Sequence, residues 1–155
     1  MFDAEKTIDI LNLARSMELT AIAQYMQLHY YLNDKGYDML AGGMKRIAIA
    51  EMRHAEQLAE RIKQLKGVPC TYADGAPRLP GSLNDCYNYA QQLEMVTRST
   101  YQGYVEQLAA VDEVSKQLLS RIAVEEADHL DYFEQVLDAL SPAFEGVQRN
   151  GEYKD

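Results

Sequence analysis

Six side chains able to bind metal recur in a fixed order along this 155-residue chain: Glu18, Glu51 with His54, Glu94, and Glu126 with His129. Two single glutamates alternate with two Glu-x-x-His pairs. The i, i+3 spacing of each pair sets its carboxylate and imidazole about one turn apart on one helix face. Carboxylates bring hard oxygen donors and negative charge, and neutral imidazole brings nitrogen. One glutamate from each of two helices, with a Glu-x-x-His from each of two others, is how a four-helix bundle builds a di-iron or di-manganese site. A lone Glu-x-x-His carries little information. The full set, in this order and at helix-length intervals, carries a great deal.

Positioning these groups requires four helices, and the chain has four segments of helical periodicity. The first spans about 4–33 and stops at Asn33-Asp34-Lys35-Gly36. A second, about 37–66, ends at Gly67 with Pro69 beyond. A third, about 82–110, opens at Ser82 with Asp85 three residues on, close to a capping box. The fourth, about 112–140, starts from Asp112 and stops before Ser141-Pro142. The first and last connections are short, which makes each flanking pair an antiparallel hairpin. Between the hairpins lie Gly67 to Gly81, with Pro69, Pro77 and Pro80 favouring extended chain. A 28-residue helix is about 42 Å long, and a linker of this length reaches at most ~50 Å. It can therefore return along the whole bundle. The expected fold is all-α: a four-helix bundle with one long crossover, in the ferritin-like arrangement, formed as a single domain over 1–155 with a short C-terminal extension.

All six candidate ligands fall on the apolar stripes of these helices. In the second the stripe reads Leu40, Met44, Ile47, Glu51, His54, Leu58, Ile62; in the fourth, Leu119, Ile122, Glu126, His129, Phe133, Val136. Glu94 continues a stripe with Tyr87, Ala90, Thr97 and Tyr101. Glu18 shares one with Leu11, Ile22 and Tyr25, into which Arg15 intrudes. An ionised carboxylate buried alone costs several kcal/mol, and four together also repel. Two divalent cations remove both costs, whereas a hydrogen-bonded polar interior is the alternative. Each ligand lies roughly midway along its helix, so the six can meet at one level. Glu125 competes with Glu126, but only Glu126 has a histidine three residues on. Glu125 is therefore read as surface or supporting, and Asp128 and Asp131 as solvated. Tyr25 and Tyr101 each follow a candidate glutamate by seven residues, two turns along the same face. Tyr25 reads equally as core or as a residue placed to hydrogen-bond a ligand or to give up an electron, and Tyr101 reads more readily as core with its hydroxyl finding a partner. His29 sits about 16 Å along the axis from Glu18, too far to share its metal. Met52 is about 100° around the helix from Glu51 and faces a neighbour.

Bulk properties narrow the partners. With 24 acidic and 15 basic residues the net charge is −9, which argues against nucleic acid or an anionic membrane. No basic, apolar leader is visible and no apolar run reaches 18 residues. Cys70 and Cys86 do not make a disulfide framework, so a cytoplasmic protein with free thiols is expected.

The segments Glu18-Leu-Thr-Ala-Ile-Ala-Gln-Tyr25 and Glu51-Met-Arg-His-Ala-Glu56, with Arg61-Ile and Gly67-Val-Pro69, resemble the bacterioferritins. The resemblance implies an iron-storage protein with a di-iron ferroxidase centre in each subunit of a hollow, typically 24-subunit shell. It implies Glu18, Glu51, His54, Glu94, Glu126 and His129 as iron ligands, with Glu51 and Glu126 bridging, and Tyr25 beside them. It further implies haem b between two subunits, held by Met52 and its twin. Fe(II) and an oxidant, dioxygen or hydrogen peroxide, are the implied reactants. Two features depart from the pattern. Arg46 and Ala50 stand where some members carry histidine and aspartate on the inner shell surface, and the tail 142–155 has weak helical character where the family has a short fifth helix. A peroxide-reducing di-iron enzyme of small oligomeric state, in the manner of the rubrerythrins, is the alternative reading, although paired Cys-x-x-Cys motifs are missing. A purely structural zinc or manganese site is a third.

Overall fold

Three of the four helices begin at a side chain that takes over an unpaired backbone N–H. In the computed structural model, which describes residues 3–141, these helices are α1 (Ala4–Asp34), α2 (Asp38–Gln64), α3 (Leu83–Leu108) and α4 (Glu113–Ala139), with no strand among the described residues. Asp3 accepts from the amide of Lys6, Ser82 from that of Asp85, and Asp112 from that of Ser115. The Asp85 carboxylate also accepts from the Gly81 amide, at 2.8 Å. α2 has no side-chain cap at Tyr37; the tight α1–α2 turn delivers the chain instead, with Gly36 at φ +86° and the Tyr37 amide donating to Leu32 O at 2.9 Å.

α2 stops earlier than its sequence pattern suggests. The helix ends at Gln64, and the left-handed residue is Lys66, at φ +68°, rather than Gly67. Gly67 serves packing: a Cβ there would lie 2.8 Å from Ile8 Cγ2 and 3.0 Å from Ile62 Cγ2. α3 likewise ends at Leu108, two residues short of the expected end, because Ala110 turns left-handed at φ +63° to enter the Asp112 cap.

The long crossover runs along α1 in the same direction. Val68 O accepts from Asn12 Nδ2, Cys70 O from Arg15 Nε, and Tyr72 O from Ser16 Oγ. The Asp74 amide donates to Thr20 Oγ1, and Gln24 exchanges hydrogen bonds with the Arg78 backbone in both directions. One polar face of α1 thus satisfies an extended strap that has no ladder of its own. Arg15, which interrupts the apolar stripe, spends its guanidinium on Cys70 O and Ala55 O. By this route α3 starts at the end of the bundle where α2 started, and α1 and α3 lie antiparallel.

The interior divides into two apolar layers. One holds Tyr25, Leu28, Leu32, Met44, Tyr87 and Phe133; the other holds Leu11, Leu58, Ile62, Tyr101, Leu119 and Ile122. Between them lies a polar layer with Glu18, Glu51, His54, Glu94 and Glu126, all buried. No helix among the described residues is long and apolar enough to cross a membrane. The tail 142–155 lies outside the described residues.

Candidate metal centre

Each helix delivers its part of the polar layer from mid-length. Glu18 comes from α1, Glu51 and His54 from α2, Glu94 from α3, and Glu126 and His129 from α4. Their donor atoms form two adjoining groups: Glu18, Glu51, His54 and Glu126 in one, and Glu51, Glu94, Glu126 and His129 in the other. Within each group all donors lie within 4.8 Å of one another. Glu51 and Glu126 belong to both.

The imidazoles face inward through Nδ1. His54 Nδ1 lies 2.9 Å from Glu126 Oε1 and 3.3 Å from Glu51 Oε2, and His129 Nδ1 lies 2.8 Å from Glu51 Oε1. Two phenols complete the layer. Tyr25 Oη donates to Glu94 Oε1 at 2.6 Å, and Tyr101 Oη lies 2.8 Å from Glu18 Oε1 and 2.9 Å from Ala14 O. Tyr101 is core, as its sequence reading has it, and the partners of its hydroxyl are Ala14 O and the Glu18 carboxylate.

The electrostatics describe a site short of positive charge. Burial, with the Glu51 carboxylate beside it, pushes the Glu18 carboxyl up to about 8. Burial and Glu126 hold Glu94 well above the usual carboxylate range. Burial also opposes charge on both histidines, but the carboxylates around them prevail. His54 is raised by Glu126, Glu18 and Glu51; His129 is raised to about 12 by Glu126, Glu51 and Glu94. Burial and the Glu18 charge press Glu126 upward, yet the Glu94 carboxyl and the His129 and His54 imidazoles beside it leave it below its ordinary value. The upward shifts favour the neutral forms of Glu18 and Glu94 and the positively charged forms of the two imidazoles. The phenols of Tyr25 and Tyr101 are raised by burial and adjacent carboxylates, so they remain donors.

Three carboxylate oxygens in this layer (Glu18 Oε2, Glu94 Oε2 and Glu126 Oε2) are buried and accept no hydrogen bond. His54 Nδ1 lies 3.6 Å from the first and His129 Nδ1 3.4 Å from the third, contacts without hydrogen-bond geometry. Unpaired buried acceptors are costly. Hard-oxygen and imidazole donors converging with unused lone pairs fit two divalent cations, which would replace the protons.

The two halves are nearly equivalent, with two differences at the histidines. The outer nitrogen of His54, Nε2, contacts the half-exposed Glu125 carboxylate, so Glu125 supports the ring that its neighbour Glu126 faces from inside. Counting back from Glu51 as Glu125 stands to Glu126 gives Ala50, which offers His129 nothing comparable. His129 is also the most exposed of the six, at 13 %, beside a cleft of about 180 Å³ that Arg46, Asp128 and Tyr132 help to line. Met52 points away, 41 % exposed on the outer face of α2. His29 is engaged elsewhere, with Nδ1 2.7 Å from Ala41 O. Cys70 and Cys86 are free thiols.

Known proteins share this fold. The family model described as "Ferritin-like domain" matches residues 8–142. The bacterioferritin of Desulfovibrio desulfuricans is 43% identical over 132 residues, covering 84% of this chain and 74% of that protein. The Brucella melitensis bacterioferritin is 34% identical over 149 residues, covering 95% and 91%. The X-ray structure of the D. desulfuricans protein, whose diiron site is described in different catalytic states, superposes with a TM-score of 0.89 at 38% identity, over 95% of this chain and 86% of that one. Mycobacterium tuberculosis BfrA follows with a TM-score of 0.85 at 28% identity, over 90% and 89%. By fold, by identity over most of its length and by the composition of its polar layer, the chain belongs to the bacterioferritins of the ferritin-like family.

Proposed function

We propose that this protein is an iron-storage ferroxidase. Fe(II) is the substrate: two ferrous ions each give one electron to an oxidant, dioxygen or hydrogen peroxide, and the Fe(III) produced passes to a stored mineral. The observation that carries this reading is the pair of donor groups sharing Glu51 and Glu126, with three buried carboxylate oxygens left unpaired. The similarity to bacterioferritins, one with a diiron site in different catalytic states, supports the choice of iron.

In this reading Glu18 and His54 hold one ion, Glu94 and His129 the other, and Glu51 and Glu126 bridge them. Before loading, protons occupy the imidazoles and the outer carboxyls; entry of the ions releases these protons. Tyr25 holds the outer oxygen of Glu94 and is an oxidisable side chain beside that half of the site. The apolar layers on either side keep bulk water away, which strengthens each carboxylate–cation attraction. The partly exposed ring of His129, lacking the support that Glu125 gives His54, stands at the side from which ions enter.

Self-assembly into a closed shell, typically of 24 subunits, belongs to the same proposal, as does a cytoplasmic location. Haem b at a two-fold interface, held by Met52 and its twin, is consistent with Met52 lying exposed on α2. The test is aerobic loading with tens of Fe(II) per subunit, then size-exclusion chromatography with iron analysis. Iron far above two per subunit, eluting with a shell-sized species, is expected. A stable dimer retaining only two irons per subunit contradicts storage and favours a small peroxide-reducing enzyme.

A further inference from the structure

The polar layer has an approximate two-fold symmetry that reaches beyond the six ligands. Tyr25 follows Glu18 by seven residues, and Tyr101 follows Glu94 by seven. Because α1 and α3 are antiparallel, neither tyrosine serves the glutamate of its own helix. Tyr25 reaches across to Glu94 Oε1 at 2.6 Å, and Tyr101 reaches back to Glu18 Oε1 at 2.8 Å. The histidines follow the same exchange: His54 meets Glu126 of α4, and His129 meets Glu51 of α2. Each donor group therefore has one outer glutamate, one histidine and one phenol behind the glutamate.

From this geometry we infer that Tyr101 is a second positioning residue of the metal centre, holding Glu18 for the ion bound by Glu18 and His54 as Tyr25 holds Glu94 for the other. The inference rests on the proposed two-metal reading of the site. Glu18 has one oxygen engaged by the phenol and the other, Oε2, buried and unpaired toward the centre. With Oε1 engaged, the carboxylate is oriented to offer Oε2 to a cation. The same division recurs at Glu94, whose Oε1 takes the Tyr25 hydrogen bond while Oε2 is unpaired. Tyr101 is itself fixed. It is fully buried, its hydroxyl also touches Ala14 O at 2.9 Å, and its ring lies 6.2 Å from that of Tyr104. Its one proton is shared between Ala14 O and Glu18 Oε1, and a buried, packed side chain in such contact is suited to be an outer-sphere partner of a metal ligand.

Cobalt(II) tests this on the full-length, chelator-stripped protein, because it is redox-quiet here and its visible d–d bands report each ion's coordination. Removing an outer-sphere hydrogen-bond partner costs about 10- to 100-fold in metal affinity. Wild type is expected to bind two Co(II) per subunit. Tyr101→Phe is expected to weaken one of them by about that factor and to shift its bands, and Glu18→Gln to affect the same ion. Tyr25→Phe and Glu94→Gln are expected to affect the other. A purely structural tyrosine would not select one ion. Should Tyr101→Phe fail to fold, 3-fluorotyrosine at position 101 keeps the ring and perturbs the donor; it is expected to shift the bands of the Glu18 ion alone. Equal effects on both ions, or none, overturn the inference while two cobalts still bind. Fewer than two cobalts in wild type overturns the metal-centre reading itself and the inference with it.

Discussion

Glu18→Gln should stabilise the metal-free protein at alkaline pH while impairing its metal site. Glu18 is buried, and its carboxyl is raised from 4.5 to about 8, chiefly by burial and then by Glu51. A group raised in the folded state binds more protons folded than unfolded, so its contribution is full below the unfolded value and is lost as pH rises through about 8. At about 1.4 kcal/mol per pH unit, the metal-free protein forfeits about 2 kcal/mol through this group by pH 6 and about 4 kcal/mol by pH 8. Glutamine is nearly the same shape, carries no charge, and keeps a carbonyl oxygen for Tyr101 Oη. The variant should match wild type at pH 5 within about 1 kcal/mol and exceed it by about 2–4 kcal/mol at pH 8. For a domain of this size that is a rise in melting temperature of roughly 5–15 °C. The assay is a pair of thermal melts by circular dichroism in chelator, repeated from pH 5 to 8. In excess Co(II) the order should reverse, because wild type gains binding free energy that the variant has partly lost. A metal-free variant that melts lower than wild type at pH 8, or a wild-type melting temperature indifferent to pH over this range, would refute the view of Glu18 as a charge awaiting a cation.

Two further outcomes follow from other parts of the molecule. Asp112 caps α4, receives Arg61 Nη2 at 3.0 and 2.9 Å, and accepts from the Ser115 amide and hydroxyl. Losing a cap (about 1 kcal/mol) and charged hydrogen bonds (about 1.5–3 kcal/mol) should make Asp112→Ala roughly 2–4 kcal/mol less stable in urea. Burial presses the Asp112 carboxyl upward, but Ser115 and Arg61 prevail and lower it. Its contribution is therefore present above the unfolded value and lost as pH falls through the lowered one, so the wild-type advantage should shrink in strong acid. At the other face of the bundle, protein reconstituted with haem should show a Soret band that Met52→Ala removes; a band unchanged in the variant excludes Met52 as the ligand.

Helix content and the inward placement of the six candidate ligands were readable because both depend on spacing along one helix. Periodicity gives each residue an azimuth, and azimuth alone sends Glu18, Glu51, His54, Glu94, Glu126 and His129 inward. It gives no axial register between helices. Seven-residue spacing relates Tyr101 to Glu94 on one stripe, yet the partner of Tyr101 is Glu18, a choice made by the antiparallel offset of α1 and α3. Glu125 reads as surface or supporting, and which of the two holds was hidden for a similar reason. Glu125 points sideways from α4, and only the closeness of α2 and α4 at that level turns an exposed acid into a support for His54. Arg15 looked like a flaw in a stripe because the strap it holds is distant in sequence. Gly67 shows the opposite limit: glycine signalled a helix end, but Lys66 adopts the left-handed turn and Gly67 is there to admit Ile8 and Ile62.

In the proposed function, four glutamates and two histidines hold two ferrous ions in each subunit. Anaerobic Fe(II) titration of the metal-free protein, followed by absorbance after a pulse of oxidant, tests it most directly. Rapid oxidation should saturate at two Fe(II) per subunit, and Glu94→Ala should abolish that rapid phase. Saturation far from two, or a rapid phase surviving in Glu94→Ala, would contradict it.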